Sequence, residues 1–325
     1  MANQRSVLLH ISVPFCVNPC GWRPGCPIIP GWNSSRQTAY MEAVQREIEA
    51  NASQFGDVQI TAVRFGGGVA SNAGEHISHT MRLVRRLYDV ADDAPITMRS
   101  SISNISGANM PWFKRAGIQR FDFEMMSLNP ADFSLLNRND AWADFIIMCD
   151  YLLKTHRNEL LGLLLSWGHG AKDGNNAASI ANFRKSVVEA ATTHASHIRL
   201  LEYQGPELLA AGALAEAEPE SLSGEVARNL LPTASAAVKA EQLEVARKVF
   251  LAQGFNEYLP LHFGRGSFAE DRYLAARARG SELLGFGLGA QTRFDGVLST
   301  NTSDLPLYLA HSADFSKITA AVQRI

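Results

Sequence analysis

Six short runs in this chain are apolar or alternate between apolar and polar residues: "SVLLHISV", "QITAVRF", "PITMRSS", "QRFDFEMM", "LLGLLLSW" and "HIRLLEY". Runs of this length and composition predict β-strands. The segments between them, "RQTAYMEAVQREIEANA", "EHISHTMRLVRRLYDV", "AWADFIIMCDYLLKTH" and "IANFRKSVVEAATTH", carry apolar residues at helical spacing with polar faces opposite. That alternation predicts βαβ units, hence an α/β fold with a parallel sheet or barrel. The barrel part is expected over residues 1–204. Beyond it, "AAGALAEAEPESLSGEVARNLLPTASA" reads as a connector with weak helical character, followed by a strong helix, "SAAVKAEQLEVARKVFLAQG", and a Gly-rich region around "LLGFGLGAQTRFDG". Residues 205–325 are therefore expected to form a C-terminal accessory region of α+β type.

Composition narrows the partners. The chain has 325 residues, 46% of them hydrophobic, and a formal net charge of −2 with both signs mixed. Nucleic-acid or membrane-surface binding would call for clustered Lys and Arg, so a small or medium organic substrate is expected, with no nucleic acid and no membrane. No apolar run approaches the roughly eighteen residues of a membrane helix, and "MANQRSVLLHIS" is too short and polar for a signal peptide. A cytoplasmic protein is the expectation. In that reducing setting, cysteines crowded together bind metal or do chemistry more often than they form disulfides.

Three of the four cysteines, Cys16, Cys20 and Cys26, fall within "FCVNPCGWRPGC", directly after the first strand. In a parallel barrel the loops following the strands build the site, and "FGGG", with Gly66, Gly67 and Gly68, follows the second strand in the same way. Three thiolates can hold an iron-sulfur cluster with one iron left open to a small molecule. A zinc site completed by a histidine and loose thiols that bind nothing are the alternatives, although no histidine lies between residues 11 and 75. Cys149, inside "FIIMCDYLL", reads as a buried apolar filler. The triple glycine permits close backbone approach to a ligand, and a tight turn explains it equally well.

The fourth strand carries charge where a barrel should be dry. In "RFDFEMM" the period of two puts Arg120, Asp122, Glu124 and Met126 on one face and Phe121, Phe123 and Met125 on the other. The aromatic face should meet the helices and the charged face the interior, where carboxylates must be paired or serve a ligand. Arg99 on the third strand is the expected partner of Glu124 or Asp122, with Arg64 and Arg199 able to join; a purely structural ion network reads equally well. His169 and Trp167 after the fifth strand, Tyr203 and Glu202 at the end of the sixth, and Trp22 and Arg23 in the cysteine loop are further candidates.

Taken together, these blocks resemble the radical S-adenosylmethionine (SAM) superfamily, in the branch of oxygen-independent coproporphyrinogen III oxidase. "VLLHISVPFC" is similar to that branch's "LLYIHIPFC", "FGGGVAS" to "FGGGTPS", "FKRAGIQRFDFEMMSLN" to "LKEAGVNRISIGVQSFN", "HIRLLEYQGPE" to the sixth strand, and "LLGFGLGAQTRFDG" to "YLGFGPGAHS". The resemblance spans almost the whole chain. It implies a partial (β/α)6 TIM-like barrel, a 4Fe-4S cluster on Cys16, Cys20 and Cys26, and S-adenosyl-L-methionine on the open iron with Gly66, Gly67 and Gly68 against it.

The departures from that branch are specific. Its cysteines are spaced CxxxCxxC, and here they read CxxxCxxxxxC. His10 and Ser12 stand at the positions of its motif Tyr and His, and so enter as cofactor-binding candidates. Arg99 takes an acidic position on the third strand, Met126 replaces a Gln, and Gly162 stands where the fifth strand carries an Asp. Glu124, held by Arg99, is the candidate replacement for the lost acid. The implied chemistry is electron donation to SAM from a cluster reduced by a protein such as flavodoxin or ferredoxin, giving a 5'-deoxyadenosyl radical that acts on a substrate by oxidation, decarboxylation or methyl transfer. The alternative is a non-catalytic protein that binds or traffics a cluster or haem.

Overall fold

The computed structural model of the chain describes residues 4–14, 33–55, 57–129, 132, 142–155, 160–205, 231–266 and 270–325. All six expected strands are present: β1 (Arg5–Val13), β2 (Val58–Gly67), β4 (Ile96–Ser100), β5 (Arg120–Met126), β6 (Leu160–Trp167) and β7 (His197–Glu202), with a two-residue β3 (Asp89–Val90) beside β2. They pair in parallel, in chain order. Between them run α1 (Ser34–Phe55), α2 (His76–Leu87), α3 (Met110–Ala116), α4 (Trp142–Thr155) and α5 (Asn176–Thr192). This is the partial α/β barrel that the strand and helix periods predict.

Packing follows the two faces of β5. Phe121 stacks on Phe123, Phe121 meets Phe113 of α3 with ring centroids 6.1 Å apart, and Phe123 meets Phe145 of α4 at 6.5 Å. All four rings are fully buried. Each such side chain contributes about 1.5–3 kcal/mol of burial, so this layer fastens the helices to the outer face and leaves the charged face turned inward. At its end β5 slips register against β6, and Met126 adopts a positive φ of 61°, packing with Tyr203 and Leu231. A β-bulge of this kind ends the pairing and redirects the chain beyond it.

The C-terminal part is not a separate layer. After α6 (Ala236–Ala252), β8 (Asn256–Leu259) and β9 (His262–Gly264) form a hairpin that pairs antiparallel with β7. On the opposite edge β10 (Leu283–Phe286) pairs in parallel with β1, and β11 (Gln291–Phe294), β12 (Val297–Asn301) and β13 (Thr319–Arg324) extend the sheet. The boundary near residue 204 therefore separates chain segments but not sheets. Between hairpin and β10 lies α7 (Arg272–Ala278), whose Tyr273 and Leu274 pack on Leu8, Ala62 and Leu283. This seven-residue helix fills one end of the space the strands surround. Two short helices, α8 (Leu305–His311) and α9 (Phe315–Ile318), follow β12.

The late Gly-rich element is locked to the end of β1. The Ser12 hydroxyl donates to the Leu288 carbonyl at 2.9 Å, and the Tyr40 hydroxyl donates to the Ser12 carbonyl at 2.8 Å. A Cβ on Gly287 would lie 2.7 Å from that carbonyl and from the Tyr40 hydroxyl, and Gly287 has a φ of 105°. Only glycine allows this approach without strain. No described helix is long and apolar enough to cross a membrane.

Candidate functional site

A cavity of about 680 Å³ opens among the strand ends, lined by His10 of β1, Arg64, Gly66 and Gly67 of β2, Arg99 of β4, Arg199 and Leu201 of β7, the β8–β9 turn and α7. The strand register sets this up. His10 lies opposite Arg64, Arg64 opposite Thr97, and Arg99 opposite Asp122. Alternate residues of neighbouring strands thus place several charged side chains on one side of the sheet.

The charges sort into pairs. Arg64 donates to Asp122 Oδ2 at 2.7 Å and to Asp271 Oδ2 at 2.9 Å, with all three side chains buried. Asp271 also caps α7, accepting from the Leu274 amide at 3.0 Å, so one carboxylate ties the helix to the barrel. Burial opposes the charge on Asp122, but Arg64, His197 and Arg120 outweigh it and hold this carboxyl well below the usual range. Arg64 is likewise pushed up by Asp122 and Asp271 against the effect of burial. The Asp122 carboxylate also explains Gly162: a Cβ there would lie 2.1 Å from Asp122 Oδ1. The Asp122 carboxylate fills the space that glycine leaves.

Arg99 Nε contacts Glu124 Oε1, with the Glu124 side chain fully buried and that of Arg99 13% exposed. Arg99 reaches the cavity wall and Glu124 sits behind it. His10 is driven down to about 3 by burial and then by Arg277, Arg64 and Arg99, so its imidazole is neutral at any ordinary pH. His262 falls to about 4 through burial and Arg199, and its Nδ1 hydrogen-bonds the Pro260 carbonyl at 2.8 Å.

The expected site residues divide accordingly. His10, Gly66, Gly67 and Arg99 line the cavity; Ser12, Gly68 and Glu124 do not. Ser12 is taken up by Leu288, and the Gly68 amide donates to the Val13 carbonyl at 2.7 Å. Gly67 is required by the fold itself, with a φ of 88° and a would-be Cβ 2.7 Å from Ser12 Oγ. Cys16, Cys20 and Cys26, with Trp22 and Arg23, lie outside the described residues. Cys149 is buried in the core, its thiol pushed up to about 12 by burial, as befits an apolar filler. His169 is also buried, against Phe183 and Tyr203, with its carbonyl accepting from Ser179 and Gln242. It faces neither solvent nor cavity. Tyr203 turns inward to Leu231, while Glu202 turns outward to Lys239.

Three participants went unseen in the sequence. Asp271 and Arg277 sit in "DRYLAARARG", where an Asp before a short apolar run is the signature of an N-cap and would have marked α7. His262 gives no comparable signal, since only the hairpin fold brings it beside Arg199.

The fold superposes on coproporphyrinogen III oxidase (HemN) from Escherichia coli with a TM-score of 0.80, covering 99% of this chain and 72% of that one at 18% identity. In sequence the chain is similar to the mitochondrial radical S-adenosyl methionine domain-containing protein 1 of Bos taurus, 23% identical over 297 residues, which is 90% of this chain and 61% of the relative. It is also 25% identical over 136 residues to the oxygen-independent coproporphyrinogen III oxidase of Salmonella typhimurium, covering 42% of this chain and 30% of that one. The chain thus spans less than two thirds of the length of these two sequence relatives. No family model matches it. The chain shares the fold of that HemN structure.

Proposed function

We propose that this protein is a radical SAM enzyme acting on a small or medium organic substrate held in the arginine-lined cavity. The observation that carries the reading is the placement of that cavity at the strand ends, with Gly66 and Gly67 on its wall and beside them the end of β1, which the three cysteines follow in the sequence. The radical SAM names of the relatives support it. On this reading Cys16, Cys20 and Cys26 hold a 4Fe-4S cluster. When bound, the cluster and SAM supply one-electron cleavage of SAM and hydrogen-atom abstraction. For the cofactor's carboxylate the lining offers guanidinium groups. An acid on the wall is what it lacks, and Glu124 behind Arg99 is the nearest replacement. The neutral His10 beside Gly66 does not add to the positive charge. A flavodoxin or ferredoxin would serve as reductant.

The Arg99–Glu124 pair also favours a second reading, a cluster- or haem-binding protein in which SAM cleavage has been lost, because the acid is already engaged. Anaerobic reconstitution with iron and sulfide, reduction, and assay for 5'-deoxyadenosine separates the two. Formation of 5'-deoxyadenosine from SAM is the expected result; a reconstituted cluster without it would establish the second reading. Replacing Cys16, Cys20 or Cys26 singly by Ala should abolish the cluster's paramagnetic resonance signal, and Cys149→Ala should retain it. An unchanged signal in the Cys26 variant would place the third ligand elsewhere, and zinc without iron would remove the radical reading.

A further inference from the structure

The cavity wall carries four arginines, Arg64, Arg99, Arg199 and Arg277, and, among the described residues, not one carboxylate. Two of the four are neutralised from behind, Arg64 by Asp122 and Asp271 and Arg99 by Glu124. Among the described residues no acid pairs with Arg199 or Arg277. Arg277 meets neutral groups, Gln291 Oε1 at 3.4 Å and Tyr273, and Arg199 Nε is buried without a hydrogen-bond partner. The two sit close enough to disturb each other. Arg199 is lowered to about 10 by burial, then by Arg64, with Arg277 adding to the repulsion against the relief from Asp122 and Asp271. The Arg199 Nε–H, buried without an acceptor, is costly unless an anion joins it, and Arg277 stands exposed at the same wall.

Around these cations the wall is apolar, with Leu201, Leu259, Pro260 and Leu274. A volume of about 680 Å³ is that of an organic ligand rather than of an inorganic ion. We infer that Arg199 and Arg277 form a specificity clamp for an organic dianion, a phosphate monoester or a dicarboxylate, whose apolar body rests on the β8–β9 turn and α7. Planar guanidinium groups are suited to this, since each can give two parallel hydrogen bonds to a phosphate or a carboxylate. The clamp rests on the proposed function and deepens it by naming a substrate class. Its test uses no SAM, so loss of SAM cleavage and loss of the clamp are separate results.

Calorimetric titration of the full reconstituted chain with benzyl phosphate, phthalate, benzoate and benzyltrimethylammonium provides that test. One or both dianions should bind, more weakly as salt is raised, with benzoate weaker and the cation not bound. Binding of benzyl phosphate alone identifies a phosphate ester, and binding of phthalate alone a dicarboxylate. Arg199→Gln and Arg277→Gln should each weaken the bound dianion by about tenfold to a hundredfold, the usual worth of a hydrogen bond to a charged group. Lys239→Gln, at an ion pair outside the cavity, should leave it unchanged. Arg277 is exposed, so its variant keeps the question answerable even if the Arg199 variant folds poorly. Failure of both dianions to bind, or equal binding of the cation, or unchanged affinity in the Arg277 variant, would overturn the clamp.

Discussion

Two buried carboxylates in this molecule are held in opposite ways. Asp122, inside the barrel, faces the Arg64 guanidinium at 2.7 Å with Arg120 and His197 nearby, and stays ionised far below the ordinary carboxylate range. Glu47, on α1, accepts among the described residues from neutral donors: the Gly287 amide at 2.7 Å, Asn301 Nδ2 at 2.7 Å and the Tyr308 hydroxyl. Burial dominates there, and those three hydrogen bonds only partly offset it, so Glu47 rises from 4.5 to about 7. The same side-chain chemistry is thus set by what it faces. A full countercharge secures a permanent anion at the site, whereas dipoles leave a group that titrates near neutrality where α1 grips the turn at Gly287 and the strand β12.

The most damaging way to break this contrast is to take away the countercharge. Arg64→Ala would leave Asp122 and Asp271 buried together without it and release α7 from its tie to the barrel. The expected loss of stability is about 3–5 kcal/mol, read from denaturant unfolding. A loss below about 1 kcal/mol would mean that Arg120 and His197 suffice for Asp122.

Next in size is the pH response of Glu47. Its folded pKa lies above the unfolded one, so between 4.5 and about 7 the unfolded chain has released a proton that the folded chain keeps. Stability from this group is complete below that window and falls by up to about 1.4 kcal/mol per pH unit across it, then levels off. Asp122 slopes the other way: its contribution is complete above its ordinary 3.8 and declines as pH falls further. His10 and His262, held neutral in the folded chain, add stability as pH rises toward 6.5 in the native chain and the variant alike, so Glu47 is read as a difference: from about pH 4.5 to 7 the stability of Glu47→Gln should rise relative to that of the native chain. An identical slope in the variant would mean that Glu47 is ionised throughout, like Asp122.

Much of this was legible in the chain. The six strands and the alternation of "RFDFEMM" follow from backbone periodicity, which acts within a few residues, and so does the pairing of neighbouring strands that puts Arg99 beside Glu124. The strands β8 to β12 are only three to five residues long, and α7 only seven, too short for a period to register. Asp271 meets Arg64 only because α7 folds back into the barrel, a long-range event with no local trace. Glu47 did leave a trace: it shares a helical face with Tyr40, Val44, Ile48 and Asn51, all buried, and a Glu within such a stripe signals a buried hydrogen-bonded acid.

The finest discrimination comes from the Arg99–Glu124 pair, which is intermediate between Asp122 and Glu47. Glu124 has a full countercharge, as Asp122 does, but its arginine lies on the cavity wall where water reaches it, and Arg64 is more deeply enclosed. Exposure of one partner raises the local dielectric response and weakens the attraction, so the coupling should be smaller than that of the barrel's inner network. A double-mutant cycle with Arg99→Met and Glu124→Gln, read by unfolding, is expected to give about 0.5–2 kcal/mol. The single Arg99 variant should be the more destabilised of the two, because it strands a carboxylate while Glu124→Gln leaves a cation that can turn toward solvent. A coupling within about 0.3 kcal/mol of zero would show that Glu124 depends on other partners and that Arg99 can be committed to a ligand in the cavity. A coupling near the upper end would show that Arg99 holds the acid in place and is itself committed to it.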